Sequence, residues 1–256
     1  MENQPGEPRG NEVAEQTDAV AARTRIHSGL QYLVFLKQLS KLSRPGSYLE
    51  IGTRDGSSLA AFDCDAICVD PKMRPKPAAL DRRRTFCFQM TSDRFFKETD
   101  LSEIFPTGVD VAFLDGMHRF EYVLRDFINT EANCHRRSMI LVHDCFPPEA
   151  NVAGRIFPRG GAWAGDVWKL VPILKESRGD LTLHMLDCPP TGLLLIQGIS
   201  PSSESLEREY HSIVERYGSL TLDEYGLDRL WSDTEKLQSR SLVEDEALWS
   251  LAMATY

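Results

Sequence analysis

Two pairs of residues in this chain have the types and spacing for chemistry: Asp115 with His118, and His143 with Asp144. Histidine titrates near ~6.5 when unperturbed, so His118, just past the end of an apolar run, suits a general base at neutral pH. Asp115, His143 and Asp144 stand at the ends of two such runs and could gather a divalent cation between them. Blander roles are open to the same residues. His118 could cap the following helix or orient Asp115, and His143-Asp144 could hydrogen-bond the next loop while Asp115 meets a bound cofactor.

A second constellation surrounds residues 47–58, SYLEIGTRDGSS. Tyr48, Leu49 and Ile51 form the short apolar run of a buried strand, which breaks into Gly52, Thr53, Arg54, Asp55 and Gly56, with Ser57-Ser58 placed to open a helix. A glycine turn between strand and helix lets backbone N–H groups approach a ligand, and a helix N-terminus favours a negative group there. The next run, Ala66 to Val69, ends in Asp70, 20 residues beyond Glu50. In nucleotide-binding α/β folds an acid at the tip of the second strand accepts hydrogen bonds from ribose hydroxyls. Taken alone, the glycine turn is equally an ordinary turn. With its flanking elements and the acid, it predicts an adenosine-containing ligand over the first two strands.

These residues must be positioned by a parallel sheet. Strands are predicted at Tyr48–Ile51, Ala66–Val69, Thr85–Gln89, Val109–Leu114 and Ser138–Val142, with helices over 93–104 and 120–134 between them. A helical pattern over 13–42 ends at Arg44-Pro45-Gly46 and would cover the sheet face or the cofactor mouth. Each strand ends in a polar residue, and in an open parallel sheet those tips share one edge, outside which ligands bind. Gly52, Asp70, Thr91, Asp115, His118 and Asp144 should therefore converge on one cleft. Residues 145–163 form a long Pro- and Gly-containing loop of the kind that serves as a lid. A helix over 165–177 follows, with a kink expected at Pro172. Trp163 and Trp168 could wall an acceptor site or pack in the core. The runs 181–186 and 192–197 are too close for a crossover helix, so they must be antiparallel.

Net charge is −9, which argues against a nucleic-acid partner, because such surfaces are cationic. The basic cluster Arg82-Arg83-Arg84 reads as a solvated loop. Six cysteines without metal-knuckle or CxxC spacing read as buried reduced thiols. No apolar run approaches the ~18 residues that span a bilayer, and the polar N-terminus is unlike a signal, so no membrane partner and a cytoplasmic location are expected. Residues 1–12 read as a disordered tail, 13–199 as the domain and 200–256 as a charged helical extension. The apolar positions of that extension fit packing on the domain or on a second subunit in a homo-oligomer.

The EIGTRDG turn, Asp70, the FLDGMH and VHD strand ends and the closing hairpin, spanning Tyr48 to Gly198, resemble the class I S-adenosylmethionine-dependent methyltransferases. Within them the match is to the small-molecule O-methyltransferase branch. The resemblance implies a Rossmann-like sheet of seven mostly parallel strands with an antiparallel last strand and helices on both faces. It implies S-adenosylmethionine as cofactor, held by Glu50, Gly52, Thr53, Gly56, Ser57, Asp70, Thr91, Ser92 and Asp115. Glu50 and Gly52 would lie at its methionine end, and Thr91 with Ser92 would flank the adenine. The turn departs from the family pattern at Arg54, and Thr91 stands where an acid is usual. His118 becomes the base that deprotonates a small hydroxylated acceptor, a sugar or natural-product metabolite. Some such enzymes use Mg²⁺, which Asp115, His143 and Asp144 would bind. Competing readings are an NAD-dependent oxidoreductase, which shares the turn and the ribose acid, and a non-catalytic scaffold of the same fold.

Overall fold

The apolar runs become strands in chain order: β1 (Ser47–Ile51), β2 (Asp65–Val69), β3 (Thr85–Phe88), β4 (Val109–Leu114) and β5 (Cys134–His143). The computed structural model describes residues 24–81, 84–157 and 162–253, so the tail expected at 1–12 lies outside the described residues. These five strands pair in parallel, and the hairpin β6 (Thr182–Leu186) and β7 (Leu193–Gln197) closes the sheet. The order is β3-β2-β1-β4-β5-β7-β6-β8, with β7 antiparallel to both of its neighbours. The seven expected strands are joined by an eighth. Residues Glu235–Leu237 of the extension form β8, parallel to β6, where only helix was expected.

Every residue of β1 is buried, as are those of β5 from Ser138 to His143, because both sheet faces are covered. One apolar layer contains Phe95, Phe127, Trp168 and Ile213, and the opposite layer contains Phe35, Leu39, Tyr48 and Phe113. Of the helical pattern expected over 13–42, residues 13–23 lie outside the described residues, 24–31 are not helical, and helix α1 covers Tyr32–Ser43. Its start is fixed by Gln31, whose side chain accepts from the Leu33 and Val34 amides, and its end by Arg44 in the left-handed region at φ 46°. Ser57-Ser58 do not open a full helix. A single 3-10 turn (Leu59–Ala61) follows, since only the eight residues Ser57 to Cys64 separate the glycine turn from β2. The site therefore lacks the helix dipole that the sequence pattern promised.

Helices α2 (Ser92–Glu98), α3 (Phe120–Ala132) and α4 (Leu170–Ser177) complete the units. Pro172 causes no interior break, because it lies in the first turn of α4, where no amide needs an intrahelical partner. Among the described residues no helix is long and apolar enough to cross a membrane. The extension packs on the domain: Ile213 and Tyr217 of α5 (Ser205–Gly218), with Leu222 and Leu230 beyond it, join the core. Of the six cysteines, all free, Cys87 is exposed rather than buried.

Arg25 and His27, ahead of α1, and Trp231 of the extension close on the segment that follows Asp144. The Arg25 amide donates to the Pro148 carbonyl at 2.7 Å, and His27 Nε2 to the Phe146 carbonyl at 2.7 Å. The His27 ring stacks on Trp231 at 4.5 Å, and Trp231 Nε1 donates to the Pro147 carbonyl at 3.1 Å. Trp231→Ala is expected to lower stability by about 2–3 kcal/mol, the cost of truncating a partly buried aromatic that carries a hydrogen bond. Urea denaturation checks this, and an unchanged midpoint would show that the extension does not hold the segment.

Candidate active site

The glycine turn is shaped by how closely β1 approaches β4. Gly52 has φ +94°, and a Cβ there would stand 2.1 Å from the Asp115 carbonyl oxygen, so no side chain fits. Its amide donates to the Val69 carbonyl at 2.8 Å, and the Asp115 amide donates to Ile51 at 2.9 Å, which ties three strand tips together. Asp70 staples the turn: one carboxylate oxygen accepts from the Arg54 amide at 2.8 Å and the other from the Lys72 amide at 2.6 Å. Both bonds use backbone donors. Asp70 is part-exposed, so each oxygen keeps acceptor capacity for a ligand hydroxyl. Glu50 is fully buried and accepts from the Ser58 hydroxyl at 2.5 Å. Thr53 and Gly56 are buried within the turn, and Ser57 donates its amide to Asp55 at 3.1 Å.

Four groups meet where β4 and β5 end. His118 Nε2 lies 3.2 Å from Asp144 Oδ2 and 3.6 Å from Asp115 Oδ1. His143 Nδ1 lies 3.3 Å from Asp115 Oδ1 and 3.4 Å from Asp144 Oδ2. Asp144 adopts φ 63°, a left-handed conformation that aspartate tolerates, and the Thr191 hydroxyl donates to its other oxygen at 2.6 Å. Burial alone would lower the pKa of His143, but the two carboxylates outweigh it and push it up to about 10. His118 is raised for the same reason, against the same burial. Burial would raise Asp115, yet the two imidazoles hold it below the usual carboxylate range.

The atoms that converge within 4.8 Å belong to Asp115, His118 and Asp144. The expected cation set named His143 in the place His118 takes. His143 instead lies behind the two carboxylates, its ring 4.4 Å from that of Tyr32. His118 Nδ1 donates to the Trp163 carbonyl at 3.1 Å, and its ring stacks on the Trp163 indole at 5.1 Å. Trp163 is thus part of the site wall, whereas Trp168 is wholly buried in the core. Thr91 caps α2, accepting from the Arg94 amide at 3.4 Å, and Ser92 is the first residue of that helix. A cavity of about 800 Å³ opens at the opposite sheet edge, beside Lys41, Arg44, Asp63 and Asp65. It contains none of these residues, and the strand tips are where the reactive groups gather.

A family of methyltransferase domains matches residues 49–145, the stretch from β1 to just past Asp144. The chain carries a methyltransferase domain over these residues. Its sheet order and antiparallel β7 are those of the class I, S-adenosylmethionine-dependent methyltransferase fold. Among solved structures, a putative O-methyltransferase from Klebsiella pneumoniae aligns with a TM-score of 0.50 at 14% identity, over 75% of this chain and 90% of that one. An O-methyltransferase from Streptomyces achromogenes involved in tomaymycin synthesis, in complex with S-adenosylmethionine, aligns at 0.49 and 14%, over 63% and 77%. A Podospora anserina methyltransferase bound to S-adenosylhomocysteine aligns at 0.48 and 15%, over 76% and 99%. No curated protein matches the chain.

Two residues near these strand tips had no signal in the sequence. Tyr32 lies over the cluster from α1, and its phenol is raised to about 12, first by burial and then by the Asp115 and Asp144 charges. Asp126 lies on the buried face of α3, 2% exposed. Burial, far more than any neighbouring charge, raises its pKa to about 7. A carboxyl whose folded pKa stands above its unfolded ~3.9 favours folding when protonated, and that contribution is lost as pH rises through about 7. Asp126→Asn is therefore expected to flatten the decline in stability between pH 4 and pH 8, with a relative gain of order 2–4 kcal/mol at the upper end. Denaturation midpoints across that range check it, and parallel curves for the two proteins would contradict it.

Proposed function

We propose that this enzyme transfers the methyl group of S-adenosylmethionine to a hydroxyl of a small acceptor, a sugar or natural-product metabolite. The observation that carries the reading is the meeting of the glycine turn, Asp70 and a His/Asp cluster on one sheet edge inside a methyltransferase domain. The residues present fit the cofactor. Asp70 keeps an acceptor on each oxygen for a ribose diol, and Gly52 lets the turn pass close against the tip of β4 beside the His/Asp cluster. Bound S-adenosylmethionine supplies an electrophilic methyl group for an in-line displacement, which asks the protein chiefly for positioning and proton removal.

His118 is placed for the second task. Its Nδ1–H is committed to the Trp163 carbonyl, so neutral His118 presents the lone pair of Nε2 to the cleft. Asp115 and Asp144 beside Nε2 stabilise the imidazolium that forms when it takes the acceptor's proton, which makes His118 a stronger base than free histidine. Trp163 stacks on the His118 ring and Tyr32 lies against His143, which limits how the two imidazoles can turn. A second reading rests on the convergence of Asp115, His118 and Asp144 within 4.8 Å. A divalent cation held there would lower the pKa of a coordinated hydroxyl. In that case Nε2 is a ligand and cannot also be the base, and an imidazole in the donor set favours Mn²⁺ or Zn²⁺ over Mg²⁺.

His118→Ala should lower kcat at least about a hundredfold while changing affinity for S-adenosylhomocysteine less than about threefold. The wild-type rate should rise with pH through an apparent pKa above ~6.5, as His118 loses its proton. Turnover of a hydroxylated acceptor panel, with and without chelator, separates the readings: activity that survives chelation leaves His118 as base, and activity lost and restored by added cation assigns it as ligand. Cofactor binding with full turnover in His118→Ala would overturn both.

A further inference from the structure

Of the six cysteines only Cys87 is exposed. It lies on β3, the outermost strand of the sheet, directly opposite Cys68 of β2 in the parallel register. Side chains opposite each other on paired strands leave the same face of the sheet. One sulfur therefore stands at the surface and its neighbour, wholly buried, beneath it, and the Cys68 S–H donates to Cys87 Sγ at 3.2 Å. A thiol is a weak donor and a weak acceptor, so this contact contributes little to stability. What it provides is proximity. Neighbouring strands stand about 4.8 Å apart, within the Cα separation that a disulfide spans. Strand β3 has a strand partner on one side only, so it can yield as an S–S bond closes.

We propose that Cys87 and Cys68 form an oxidation site for hydroperoxides, in which the exposed sulfur reacts first and the buried thiol converts it to a reversible disulfide. The Cys87 thiolate attacks a peroxide oxygen and the O–O bond breaks. Cys87 becomes a sulfenic acid, and the departing hydroxide takes up a proton to leave as water. The Cys68 sulfur then attacks Cys87 Sγ, the S–O bond breaks, and the hydroxyl leaves as a second water with the Cys68 proton. Two thiols and one hydrogen peroxide thus give one disulfide and two waters. Burial pushes the Cys68 thiol up, which keeps it protonated and inert to peroxide until a sulfenic acid stands beside it. A disulfide across neighbouring strands is strained, so a dithiol reduces it readily. The bond would tie β2, whose tip carries Asp70, to the edge of the sheet.

Treatment of the fully reduced whole chain with hydrogen peroxide tests the inference, read by intact mass and by mapping of unreduced peptides. The chain should lose two hydrogens, the peptide of Cys68 should be joined to that of Cys87, and dithiothreitol should restore the original mass. In Cys68→Ser, Cys87 should stop at a sulfenic acid that dimedone traps at least about tenfold more than in the wild type. In Cys87→Ser, Cys68 should stay a thiol at the same peroxide dose. If either variant does not fold, the wild-type peptide map decides alone. A map in which Cys87 stops at sulfenic or sulfinic acid beside a free Cys68, joins any other cysteine, or stays reduced overturns the inference. So does a Cys68→Ser chain that traps no more dimedone than the wild type, or a Cys87→Ser chain in which Cys68 is oxidised. The experiment needs no cofactor, so its failure leaves the proposed function standing.

Discussion

Two carboxylates from neighbouring parallel strands, Asp115 and Asp144, share two imidazoles, and the rest of the site is arranged around that sharing. Like charges this close in a poorly solvated cleft repel strongly unless cations lie between them. The β4–β5 register, Leu114 beside Val142, fixes how far apart the carboxylates stand. His118 arrives from the bend after β4 and His143 from the end of β5, so each strand brings one acid and one base. The imidazoles offset much of the cost of burying the two carboxylates, and the Thr191 hydroxyl and the Trp163 carbonyl hold the outer edges of the group.

What keeps the cluster in place comes from distant parts of the chain. Thr191, at the end of the β6–β7 hairpin connection, orients Asp144, and Tyr32 covers His143 from α1. The loop beyond Asp144 returns to the site at Gly165, where a Cβ would fall 1.8 Å from the His118 carbonyl. Arg155 ties that loop to Glu121 and Asp166 at 2.6 Å each, and Asp166 also accepts from Lys169 at 2.9 Å and from the Phe120 amide at 3.0 Å. The bonds are partly or wholly shielded from water, so they restrain the loop more than surface pairs would. The N-terminal arm and the C-terminal extension then hold residues 146–148. The extension is in this sense part of the site's frame, through Trp231 and through the strand it adds beside β6.

The sheet was legible because its strands are buried on both faces and read as unbroken apolar runs, and because the β6–β7 connection is too short for anything but a hairpin. The meeting of Asp115, His118 and Asp144 was legible because β4 and β5 are parallel and end at one edge. Other features had no local signal. Tyr32 sits in an apolar helical pattern and reads as core, although its neighbour His143 is 111 residues away. Asp126 looks like a solvated position on an amphipathic helix until α2 is packed over it. The β8 strand, Glu-Lys-Leu, carries no strand signal and forms because β6 leaves an edge to pair with. The helix expected after Ser58 failed on length, which periodicity does not register.

The central claim is that the strand tips form a nucleoside site beside the His/Asp cluster. Calorimetric titration of the wild type and of Asp70→Ala with S-adenosylhomocysteine tests it most directly. Saturable binding by the wild type, weakened at least about tenfold in Asp70→Ala as two ribose hydrogen bonds are lost, is the predicted result. Equal binding by the two proteins, or none by either, would contradict it.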